Sequence, residues 1–235
     1  MKLKKITREQ LNIITKKHQV WLNDPLSPTG KQADLSYVDF SGTDLKSRTF
    51  RKINFQGADF SGADLRYANL EEANLRNANL QNTRLRYVQA SGAILEGANL
   101  YKADLTGAIL SSANLCNATL EEASIISVKL LQASLKNANL RNTVMIYADL
   151  RKADLENADF TKAFVKLSSL SRSNLTNANF YEATLHKVTL FSACLHYANL
   201  HQAVLDGSNF RDADLKGVDL EKADFKGTST LGMKL

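Results

Sequence analysis

The chain has 235 residues, 44% of them hydrophobic and 23% charged, with a formal net charge of +6. No stretch approaches the roughly 18 consecutive apolar residues of a membrane span, and the basic start, Met1 to Gln10, is not followed by the apolar segment of a secretion signal. Cys116 and Cys194 are too few for a disulfide framework and match no zinc or redox spacing, so a soluble protein with reduced thiols in the cytoplasm is expected.

Residues 1–30 form the first segment, a capping helix and linker. Thr7 and Gln10 make a capping-box signature, and Ile6, Leu11, Ile13, Ile14, Val20, Trp21 and Leu22 give a helix with a broad apolar arc, ended by Asn23-Asp24-Pro25. Trp21 and Leu22 are expected to cover the front of the next segment, and His18 belongs to the same helix. A helix lying on a membrane surface is the alternative. This segment holds six Lys/Arg against two Asp/Glu, whereas residues 31–225 hold 22 of each; Lys226 and Lys234 supply the rest of the excess. A neutral body argues against direct binding of nucleic acid.

Residues 31–225 repeat every five positions: a small residue, then Asp or Asn, a large apolar residue and two mostly polar ones. The large slot, at each multiple of five from Leu35 to Phe225, holds 27 Leu and 8 Phe among 39 positions, the others being Ala90, Ile125, Met145 and Val165. Neither a 3.6-residue nor a two-residue period places every fifth residue on one face, so the pattern predicts a tightly wound solenoid. Asp and Asn beside each corner are expected to bond nearby backbone amides.

Runs such as Ala58-Asp59-Phe60-Ser61-Gly62-Ala63-Asp64-Leu65 and Ala73-Asn74-Leu75-Arg76-Asn77-Ala78-Asn79-Leu80 resemble the pentapeptide repeat proteins. The resemblance implies an all-β solenoid, a right-handed quadrilateral β-helix of about ten coils with one repeat per side and four per turn. At roughly 4.8 Å between stacked strands, the rod would be about 45 to 50 Å long. Residues 20 apart should then share a face. In the column of Phe40 the preceding residue is Asp or Asn in nine of ten coils, against four of ten in the column of Leu45. Arg48 and Ile53 occupy inward small slots, where a buried Arg is costly; a local distortion is expected, with Arg48 turned to solvent or to a carboxylate.

The column of Leu45 also departs from the pattern in its outward positions, which become apolar at Ile126, Val144, Ile146, Tyr147, Phe164 and Leu167. Leu131 and Phe191 lie near the same corner. Arg66-Tyr67, Arg84, Arg86 and Tyr87 lie toward one end of this column, and Lys166, His186 and Lys187 toward the other. Such a patch, apolar at its centre with Arg and Tyr at its rim, has the anatomy of a protein-binding surface. A β-branched ladder kept for strand propensity is the bland alternative.

Residues 226–235 form a C-terminal tail in which Thr230 breaks the large slot and Leu231, Met233 and Leu235 alternate. Either the tail folds over the last coil or two rods meet there as a homodimer. Cys194 and His196 flank Leu195 but lack further ligands, no phosphate loop is present, and no serine, histidine and acid share a face. No metal, cofactor or catalysis is expected. The leading expectation is a rigid scaffold for a protein partner. The alternative follows from the resemblance: one branch of the family looks like duplex DNA and protects topoisomerases (gyrase), but its members are acidic dimeric rods, and Glu71-Glu72 and Glu121-Glu122 do not give this chain an acidic surface.

Overall fold

The computed structural model describes residues 3–220 and 222–235. Every bridge in the body joins residues 20 apart in parallel, from Asp34 with Asn54 to Asp214 with Lys234. Each coil therefore holds four five-residue repeats and stacks in register on the next.

The corners explain the period. Along the coil the residue two after the large one has positive φ, as at Gly57 (63°), Tyr87 (58°) and Asn137 (55°). The following small residue closes the turn by bonding back, as from Ala58 N–H to Phe55 O at 3.0 Å. Positive φ in the third position of a four-residue turn is type II geometry. The Asp or Asn slot serves the same corner: Asp34 Oδ1 accepts Ser36 N–H at 3.0 Å and Asn69 Oδ1 accepts Glu71 N–H at 2.9 Å. The amides also bond along the rod, Asn74 to Asn54 at 2.9 Å and Asn199 to Asn179 at 2.9 Å.

Leu, Phe and Ala of the two inward slots form one continuous core, almost all with no more than a few per cent of their surface exposed. Phe40 stacks on Phe60 and Phe160 on Phe180, at 5.0 and 4.6 Å between ring centres. Burying a Leu or Phe contributes roughly 1.5–3 kcal/mol, so the core holds the coil without long strands.

The front end is closed by β1 (Lys4–Lys5) and α1 (Arg8–Asn23). β1 pairs in parallel with β2 (Val38–Asp39) and extends the ladder forward. α1 has the expected capping box: Thr7 Oγ1 accepts Gln10 N–H, and Gln10 Oε1 accepts Thr7 N–H. The buried face differs from expectation. Leu11 and His18 are buried and Ile6 and Ile14 pack on the core, whereas Trp21 and Leu22 are half-exposed. Trp21 stacks on the His18 ring at 5.4 Å.

His18 Nδ1 accepts Ala33 N–H (3.1 Å) and Nε2 donates to Arg51 O (2.6 Å), which requires the neutral ring; burial lowers its pKa. Arg48 donates from Nη1 to Asn12 Oδ1 of the helix at 2.7 Å, where solvent or a carboxylate was expected. The helix thereby solves the cost of an Arg in a small slot. Beside it a cavity of about 410 Å³ remains above Leu11, Phe40 and Leu45.

At the other end the ladder runs on through the ten residues that the sequence sets apart as a tail. Ser229 bridges Asn209 and Lys234 bridges Asp214. Backbone pairing does not require an apolar residue in the large slot, so Thr230 does not stop it. Leu220, Phe225 and Met233 are only partly buried there.

Candidate protein-docking face

Three sides of the rod stack through single bridges. The fourth, the column of Leu45, carries a four-stranded parallel sheet of β3 (Ser124–Ile126), β4 (Val144–Ile146), β5 (Phe164–Lys166) and β6 (Thr184–His186). Its pairs are in strict register: Ile125 with Met145, Met145 with Val165, Val165 with Leu185. Across these coils Ser, Val, Phe and Thr replace the Asp or Asn that caps the corner elsewhere. The residue after the large one then joins the strand. Arg84 and Val204 in the same column keep the tight turn, so the missing cap permits the longer strand without compelling it.

Lengthening the strand frees backbone groups at the corner, and after β4 and β6 a buried hydroxyl takes them up. Ser168 Oγ accepts Ala148 N–H (3.0 Å) and donates to Lys166 O (3.0 Å). Ser208 Oγ accepts Val188 N–H (3.0 Å) and donates to Leu185 O (2.9 Å). These two serines sit in inward slots usually held by Ala. Sequence reading missed them; the signal was a hydroxyl in a small slot directly after the irregular column.

On the outer surface of this sheet the structure brings together the predicted residues. Val144 is 41% exposed, Phe164 39%, Leu167 38% and Tyr147 61%; Ile126 and Ile146 are half-buried between them. Strand propensity accounts for Ile126, Val144 and Ile146. It does not account for Tyr147 and Leu167, which stand at the corner with φ of 55° and 51°. Bulky residues are disfavoured in that region by about 1–2 kcal/mol. Three other corner tyrosines lie against a glycine one coil on: Tyr37 over Gly57, Tyr87 over Gly107 and Tyr197 over Gly217. Tyr147 is followed instead by Leu167.

The rim is less positive than the sequence suggests. Asp64 gathers Arg66 (2.7 Å), Lys46 (3.4 Å) and Arg84 (3.7 Å), and chiefly its hydrogen bonds from Arg66 hold its carboxyl down to about 2. Arg86 lies 3.8 Å from Asp104. Toward the rear His186 Nδ1 lies 2.9 Å from Asp206. Tyr67 and Tyr87 stack at 5.3 Å two coils in front of the apolar patch, so Arg84, Arg86 and Tyr87 flank the patch and do not enter it.

Among the described residues no group of three His, Cys, Asp or Glu side chains is placed to hold a metal ion. Cys194 Sγ lies 3.5 Å from Thr176 Oγ1, and His196 Nε2 lies 3.0 Å from Asp214. Among the same residues no helix is long and apolar enough to cross a membrane.

The profile of the family described as pentapeptide repeats matches residues 53–86, 83–121, 123–161, 167–196 and 193–229, in 8 copies. The chain is a pentapeptide repeat protein. Its coil is accordingly the right-handed quadrilateral β-helix of that family. Among solved pentapeptide repeat proteins it is similar to HetL of the cyanobacterium Nostoc, a protein involved in heterocyst differentiation regulation. The identity is 32%, over 80% of this chain and 91% of that one, with a TM-score of 0.41. A protein of the Arabidopsis thaliana thylakoid lumen is 31% identical over 40% of this chain and 66% of its own, with a TM-score of 0.40. QnrB1, a plasmid-mediated fluoroquinolone resistance protein, is 17% identical over 79% of this chain and 90% of its own, with a TM-score of 0.37. The comparison with curated proteins returns no match.

Proposed function

We propose that this pentapeptide repeat protein is a non-catalytic, rigid scaffold that binds another protein through the β3–β6 face, with the apolar group around Ile146 and Phe164 as its centre. One observation carries this reading: large apolar side chains stand outward on consecutive coils, with Tyr147 61% and Leu167 38% exposed at corner positions of positive φ. A stacked coil does not reshape on binding, so the affinity of such a surface is not reduced by the need to order it. The two free cysteines fit a reducing compartment such as the cytoplasm. The pairing of Asp64 and Asp104 with basic groups is unlike the uncompensated acidic rows that a duplex mimic requires, which favours the scaffold over a topoisomerase-protecting mimic.

The test compares the proteins captured by the wild-type chain with those captured by Ile146→Asp combined with Phe164→Asp. Both side chains point out of the coil, so the thermal transition should stay within a few degrees of wild type while partner capture is lost. Identical captured proteins from wild type and double variant would end this reading.

A further inference from the structure

The outward residues of the Leu45 column run parallel to the rod in three rows: those before the large residue (Val144, Phe164), those after it (Ile126, Ile146) and those at the corner (Tyr147, Leu167). These rows make the face complementary to itself when one copy is turned end for end. Consider a two-fold axis lying along β4 between two such faces. Each row then meets its own kind, and the levels exchange about β4: the level of Ile125 meets that of Val165, Leu105 meets Leu185, and Leu85 meets Leu205.

In that register large groups meet small ones. Phe164 faces Ser124 of the second copy and Leu167 faces Ser127. Further out, Lys187 faces Gly107 and Tyr87 faces Gly207; within each copy Tyr87 lies over Gly107 and Lys187 over Gly207, so these two side chains meet across the pair. Val144, Ile146 and Tyr147 lie on the axis and meet themselves, which places apolar and aromatic groups against their own kind at the centre. Charge follows the same register: Arg86 comes opposite the second copy's Asp206, the carboxylate that already holds His186 at 2.9 Å. Turning the second copy to run parallel instead keeps each level but reverses the rows, so that Arg86 comes opposite Arg84, like charge against like, and loses Asp206; the face therefore discriminates between the two arrangements.

We infer that the β3–β6 face binds a second copy of this chain, side by side and antiparallel, as an isologous pair centred on Ile146. This rests on the reading that the face is a docking surface and names its occupant. Two flat parallel sheets pack about 10 Å apart with nearly aligned strands, a standard arrangement. The levels from Leu85 to Leu205 give a strip about 30 Å long and about 10 Å wide per copy. The two copies together bury about 600 Å², below the roughly 1,000 Å² of a stable interface, so the pair should be weak and form only toward the upper end of the concentration range.

Sedimentation equilibrium over a range of concentrations, from micromolar to submillimolar, tests it on the full chain. Wild type should rise from the 26.0 kDa monomer toward twice that mass, and Ile146→Asp, which sets two carboxylates face to face on the axis, should stay monomeric with an unchanged circular-dichroism spectrum. Arg86→Asp alone should weaken association at least tenfold, as should Asp206→Arg alone. The two together exchange the pair, and in an isologous dimer should restore most of the loss. A dimer that survives Ile146→Asp, as one formed through the C-terminal coil would, overturns the inference, and so does a charge exchange that rescues nothing. A wild-type chain that stays monomeric while Ile146→Asp still loses a different captured protein overturns the second copy as occupant and leaves the docking reading standing.

Discussion

Two sides of one coil share a core and differ in everything outside it. On the side of Phe40 the Asn179 amide is fully engaged: it donates to Thr161 Oγ1 (2.9 Å) and Asp159 (3.2 Å), and accepts from Asn199 (2.9 Å) and Tyr181 N–H (3.2 Å). On the side of Leu45, Val144, Phe164 and Leu167 occupy outward positions where they meet water. The first side uses its side chains to hold the coil together. The second gives up those bonds, re-satisfies two of its four strand corners from within through Ser168 and Ser208, and keeps its outer surface free. The division shows how a repeat can carry a specific surface without losing stability: the compensation is placed inside, one slot further along the chain.

The comparison is broken most severely from the core, which serves both sides equally. Phe160→Ala, under the regular side, should cost about 3–5 kcal/mol by urea denaturation. Val165→Ala, under the irregular side, should cost about 2 kcal/mol because it removes fewer carbon atoms. A larger loss at Val165 would mean that the sheet carries more of the stability than its burial indicates. Next in size is Ser168→Ala, which leaves Ala148 N–H buried without an acceptor and should cost about 1–3 kcal/mol, although Ala is the commonest residue in that slot elsewhere. A neutral result would show that the corner closes again into the tight turn. Asn179→Ala should cost about 1 kcal/mol, against less than about 0.5 kcal/mol for Val144→Ala outside the core; equal costs would remove the distinction between the two sides.

The smallest expected effects are pH-dependent. His18 is held neutral, with its pKa below the ordinary 6.5. The stability it contributes is complete above pH 6.5 and is lost as pH falls from there to its lowered value, because the unfolded chain then binds the proton more readily. Hydrogen exchange at Ala33 should quicken in that range before the rest of the coil loosens, and His18→Gln should abolish the difference. Asp64, held at about 2 against an ordinary 3.8, has the same sign at lower pH: its contribution is present above 3.8 and fades as pH falls toward 2.

The coil was legible because the information is repeated: an inward Leu every fifth residue and an Asp or Asn before it are sampled dozens of times, while its four sides followed from the resemblance to the pentapeptide repeat proteins. The apolar column was legible as a departure from that repetition. The closure of the front end was not. His18 binds Ala33 and Arg51, partners 15 and 33 residues away, and Arg48 binds Asn12, 36 residues away. Each contact occurs once, so no period advertises it, and apolar Trp21 outweighed the histidine that fills the site. The continuation of the ladder to Lys234 was hidden for the opposite reason, since backbone pairing leaves little trace in side chains.

The bridges between residues 20 apart also set what lengths of chain the molecule tolerates gaining or losing. Five residues make a complete repeat, yet inserting five would send every later residue a quarter turn around the rod and distribute the apolar rows over two sides. Only whole coils preserve which direction a residue points. The repeat is thus the unit of folding, whereas the unit in which this surface can be lengthened or shortened is four times as long.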